Sequence, residues 1–174
     1  MAPLLGGVGA AIGGSVTSFV AWRVLRDNKQ ARVRAEEMQA TQAVAEGFAQ
    51  AHKAVMASPS QSADPGDGPI EHVTGIDVGV LTFRNSELRD RLALSAEIIR
   101  WGAASEEVRD LVYASPKGMI VAACEDAMAC LGANLRGETL PPPGEAWTET
   151  AGAVKEVTYR YEDQDREHRH LRRR

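Results

Sequence analysis

The sequence predicts an all-α protein. A glycine-rich N-terminal helix crosses a membrane and continues as a stalk helix. A linker and a small bundle of three to four short helices follow. Three observations predict this. Residues 1–22 contain no Lys, Arg, Asp or Glu. Residues 24–57 contain no proline and one glycine, Gly47, among good helix formers. Further on, apolar residues recur every three to four positions between Pro and Gly stops.

The composition sets the outer limits. With 174 residues, 44 % of them apolar and 25 % charged, the chain has room for one soluble-type domain with appendages. Collagen-like, mucin-like and wholly disordered chains are excluded, and two cysteines cannot build a disulfide scaffold. A net charge of −4 excludes a globally basic coat for nucleic acid, which is not an expected partner.

The run Ala2 to Trp22 is long enough to cross a bilayer, because twenty helical residues rise about 30 Å, the thickness of the hydrocarbon layer. On a helix Leu5, Val8, Ile12, Val16 and Phe19 share one face, and Gly6, Gly9, Ala10, Gly13 and Thr17 lie opposite. Gly9 and Gly13 make one small-xxx-small row; Gly6, Ala10 and Gly14 make another. Small residues at that period let two helix backbones approach closely in lipid, so these five positions are the expected helix–helix contact of a homo-oligomer. Trp22 stands where an interfacial aromatic belongs, and Arg23, Arg26, Lys29, Arg32 and Arg34 follow it. Trp22, Arg23, Arg26 and Lys29 are therefore read as the membrane-interface residues. The positive-inside rule puts the short N-terminus outside and the bulk of the chain in the cytoplasm of a single-pass cell-membrane protein. A secretory signal peptide would carry its positive charge before the apolar run, and none stands there. The other rival is a Gly/Ala-rich helix buried in a soluble protein.

Residues 23–57 read as the stalk. Val44, Phe48, Ala51 and Val55 form a fair helical stripe, while Met38, Thr41, Ala45 and Phe48 make a poor coiled-coil seam. Residues 58–69 hold three prolines and no large apolar side chain, which is the composition of a flexible linker. The small helical domain is assigned to 70–140. Within it, the β-branched stretch Ile76 to Phe83 reads as a short strand, or as an extended segment packed on helices. Asn85 or Ser86 caps the next helix, which carries Leu88, Leu92 and Ile99 to a stop at Gly102. Ser105 opens a short helix through Val108, Leu111 and Val112, halted by Pro116. Met119 to Leu135 has the cleanest stripe, Ile120, Cys124, Ala127, Leu131 and Leu135, ended by Gly137. Residues 141–174 supply a proline-rich turn, a helix from Glu145 to about Tyr161 through Trp147, Ala151 and Val154, and a charged tail.

No catalytic, cofactor or metal site follows from these residues. Cys124 and Cys130 lie six apart on one helix, on nearly opposite faces, and fit neither a redox pair nor a zinc knuckle. His168 and His170 sit among arginines that repel a cation. The adjacent pairs Glu106–Glu107 and Glu125–Asp126 diverge by about 100° on a helix and make no acid/base pair. Gly75 to Gly79 lacks phosphate-loop spacing. Only a pocket lined by Glu97, Trp101 and Tyr113 would favour an enzyme or a small-ligand regulator. The expected function is thus non-enzymatic. It is a membrane-anchored interaction or scaffold protein, self-associating through the glycine face, with an unidentified protein partner and no cofactor. The alternative is a subunit of a larger soluble or particle assembly, with the glycine-rich helix packed in a protein core.

Overall fold

A computed structural model of the chain describes residues 8–58 and 68–171, with side chains described from Leu25 onward except at positions 68, 77, 167, 170 and 171. The described residues form helices and no strand. Helix α1 runs unbroken over Val8–Ala57, 50 residues. The chain divides into two compact units, Met1–Met38 and Gln39–Arg174.

The boundary at Gln39 falls inside the segment read as a stalk. From there on α1 is part of a core: Val44, Phe48, Ala51 and Val55 are all buried, whereas Met38 is 64 % exposed. The helical stripe is real, but it faces this chain's own helices rather than water. Gly47, the lone glycine of the segment, has its reason here. A Cβ at that position would stand 2.9 Å from the carbonyl oxygen of His72, so the glycine lets the next helix lie against α1. Most of the proposed linker, residues 59–67, lies outside the described residues.

Helices α2 (Gly68–Val73) and α3 (Ile76–Leu81) follow. The stretch read as a strand is therefore helical. Its buried residues are Ile76, Val80 and Phe83, spaced four and three apart, while Val78 is 76 % exposed. A strand would bury alternate residues, and it would need a partner that this chain lacks among its described residues. Burial at helical spacing overrides the β-branched preference.

Helix α4 (Ser86–Glu97) is capped by Asn85, whose side-chain oxygen accepts from the Leu88 amide at 3.2 Å. It passes into a π-helical turn, Ile98–Gly102, closed by Ala103 N–H donating to the Ile98 carbonyl at 2.9 Å. Helix α5 (Glu106–Arg109) is capped by Ser105. Helix α6 (Pro116–Arg136) starts at the Ser115 cap with proline in its first turn and ends at Gly137, whose φ of 69° is the left-handed position that favours glycine. Ile120, Cys124, Ala127 and Leu131 are buried as the stripe predicts, but Leu135 is 58 % exposed because the helix ends before another element covers it. Among the described residues α6 is the helix long and apolar enough to cross a membrane, and half of that stretch is buried in the compact unit.

Helix α7 (Glu145–Leu171) lies across α4, α5 and α6 and buries Ala151, Ala153, Val154 and Val157. It continues ten residues beyond the expected end at Tyr161. That last stretch carries the i,i+4 ion pairs Glu162–Arg166 and Asp165–Arg169. Each such exposed pair contributes about 0.3–0.5 kcal/mol to the helix.

Candidate functional site

The most constrained polar cluster of the compact unit sits where α4, α6, the proline segment and α7 meet. Arg91 projects from the same face of α4 as Leu88, Leu92 and Ser95, and Asp126 from the buried side of α6. Their side chains are 7 % and 6 % exposed. Arg91 Nε donates to Asp126 Oδ2 at 2.8 Å, and Nη2 donates to Oδ1, so the pair is bidentate. Nη1 donates to the Pro141 carbonyl at 2.6 Å, which ties down the start of the proline segment. The guanidinium lies 5.3 Å from the Trp147 ring centroid. Trp147 Nε1 in turn donates to Ser95 Oγ at 2.9 Å. Burial alone would lower the Arg91 pKa, but the hydrogen bonds and charge of Asp126 outweigh it and the net shift is upward.

Trp147 is half-buried and borders two clefts. One, about 310 Å³, lies between α6, the proline segment and the first turn of α7, walled by Ala122, Ala129, Pro141, Pro142, Ala146 and Trp147 with Glu125, Asp126 and Glu145 beside them. The other, about 440 Å³, is lined by Glu87, Asp90, Arg91, Leu94, Trp147 and Lys155. Both are shallow grooves with a rigid aromatic between them and mostly acidic rims. Such a surface can bind; neither groove presents a nucleophile beside a base.

Of the two thiols, Cys130 adjoins this cluster, its Sγ donating to Asp126 Oδ2 at 3.8 Å. Burial, aided by the Glu125 charge, pushes the Cys124 thiol up to about 12. Burial and the Asp126 charge push Cys130 up to about 11, against the opposing pull of Arg91. Only thiolates attack, so both are inert near neutral pH. At pH 8 the native protein is expected to leave an aromatic disulfide reagent unconsumed, with two thiols titrating once guanidinium unfolds it. Rapid reaction of either thiol in the native state would contradict the buried placement.

Of the residues read as a helix–helix contact, Gly6 lies outside the described residues. Gly9, Ala10, Gly13 and Gly14 lie on the helical backbone of α1, as do Trp22 and Arg23, with their side chains outside the description. Arg26 and Lys29 are exposed on α1. Tyr113 is fully exposed, so it walls no pocket with Glu97 and Trp101. Tyr161, placed by its spacing on the apolar stripe of α7, instead points outward and donates to Glu107 Oε1 at 2.9 Å. Among the described residues no three of His, Cys, Asp and Glu gather as a metal-holding group. The Arg91–Asp126 pair escaped the sequence reading, although a signal existed. Each is a charged residue on the apolar face of its helix, of opposite sign, and such residues are buried only in pairs. No family model, no curated protein and no solved structure matches this chain.

Proposed function

We propose that the chain is a non-enzymatic, membrane-anchored interaction protein that presents a small helical domain to the cytoplasm. Its copies self-associate through Gly6, Gly9, Ala10, Gly13 and Gly14. The observation that carries this reading is α1. One 50-residue helix carries residues 8–22 of the uncharged run at its start and the buried stripe Val44, Phe48, Ala51 and Val55 near its end. The basic residues Arg23, Arg26, Lys29, Arg32 and Arg34 just after the run favour a cytoplasmic placement of everything that follows. Helix α6 is a poor second span, because half of it is buried among the other helices and it carries the Asp126–Arg91 ion pair.

Alkaline extraction of membranes tests the anchor. Full-length protein is expected to stay in the pellet, while a 24–174 truncation is soluble. Full-length protein that washes off overturns the reading and moves the glycine-rich helix into the core of a larger assembly. Replacing Gly9 and Gly13 together by leucine should shift the detergent-solubilised oligomer toward monomer, since two γ-branched side chains hold the backbones apart. An unchanged sedimentation profile would remove the glycine face from the proposal.

A further inference from the structure

We infer that the cleft between α6, the proline segment and the start of α7 docks a basic segment of another protein, taking one of its Arg or Lys side chains. This rests on the reading of the compact unit as an interaction module and names the chemistry of its partner. Pro141, Pro142 and Trp147 give the cleft an apolar wall suited to an aliphatic stem. Glu125 and Glu145, both exposed, stand at its rim to receive a cationic head. Asp126 adds no net charge, because Arg91 neutralises it. Among the described residues the two rim carboxylates are in no ion pair. Two unneutralised carboxylates therefore stand beside the aromatic wall. At about 310 Å³ the cleft is at the small end of ligand sites, a size for one side chain rather than a cofactor. Its walls are set in advance, since Arg91 holds the Pro141 carbonyl and lies over the Trp147 ring. Phosphate-bearing partners, whether lipid headgroups or nucleic acid, have the same sign as the rim and are repelled.

The test uses full-length protein in mild detergent and a fluorescein-labelled peptide of four Gly-Arg repeats, read by anisotropy. Saturable binding is expected. The double variant Glu125→Gln/Glu145→Gln should weaken it about tenfold or more, as expected for lost charge-assisted hydrogen bonds. Glu138→Gln/Glu162→Gln removes the same charge elsewhere and should leave it unchanged. Unchanged circular dichroism and denaturation midpoints show that both variants fold. Absence of saturable binding overturns the proposal, as does equal weakening by the two variants, which would be general charge attraction. Displacement by tetramethylammonium as readily as by N-acetyl-arginine amide overturns it in favour of a small organic cation. Loss of self-association in the Glu125→Gln/Glu145→Gln variant overturns it in favour of a second copy of this chain. Membrane retention and the Gly9/Gly13 contact are read on other residues, so failure here leaves the anchor standing.

Discussion

Asp126→Ala is expected to destabilise the compact unit by about 3–5 kcal/mol, because it leaves a guanidinium buried and uncompensated. Arg91 is only 7 % exposed and would lose both carboxylate oxygens at once, keeping one bond to the Pro141 carbonyl and the Trp147 ring. Domains of this kind are stable by about 5–15 kcal/mol in total, so the loss removes a large share of the whole. Guanidinium unfolding of the full chain in detergent, followed by far-ultraviolet circular dichroism, measures it. The double replacement Arg91→Met/Asp126→Leu separates a missing partner from a missing interaction. It removes both charges together and should return stability to within about 1 kcal/mol of wild type, or above it, because well-packed apolar residues often replace a buried pair at no cost. A loss under about 1 kcal/mol for Asp126→Ala would mean that water reaches Arg91, and that the cluster is a surface pair rather than a buried clamp.

Elements whose limits are set by local chemistry are legible in the sequence. Helix α6 stops at Gly137, which acts through backbone groups within one turn of itself. Asn85 and Ser105 cap their helices for the same reason. The start of α6 at Ser115-Pro116, by contrast, precedes the stripe that opens at Met119, and Pro116 reads in the sequence as the stop of the helix before it. Elements whose state depends on what packs against them are not legible in this way. Ile76 to Leu81 has β-branched residues and, among the described residues, no partner strand, and its helical form follows from burying Ile76 and Val80 on one side. The end of α7 carries ion pairs at i,i+4 that a composition reading takes for a solvated tail. Arg91 and Asp126 stand 35 residues apart, and only the crossing of α4 over α6 makes them partners. The candidate cleft depends on that same crossing, which is why Trp147 reads in the sequence as one more member of an apolar stripe.

Phe48→Ala is the second large effect, expected at about 3–5 kcal/mol for a fully buried phenylalanine, measured by the same denaturation. Its value lies in the comparison with Met38→Ala, ten residues earlier on the same helix. Met38 is 64 % exposed and Phe48 is 0 % exposed, so Met38→Ala should change stability by no more than about 0.5 kcal/mol. A stalk standing free in water would respond equally weakly at both positions, since neither side chain would leave solvent on folding. A large loss at Phe48 with silence at Met38 therefore places the edge of the folded domain within one short stretch of α1, at the division between Met38 and Gln39. It also ties function to that edge. Val44, Phe48, Ala51 and Val55 belong to the domain's own core, so they are not free to serve as a dimer seam. Self-association through this stripe is then excluded, and the proposed small-residue contact lies before Gln39. Equal and small effects at both positions would return the whole of 23–57 to the stalk.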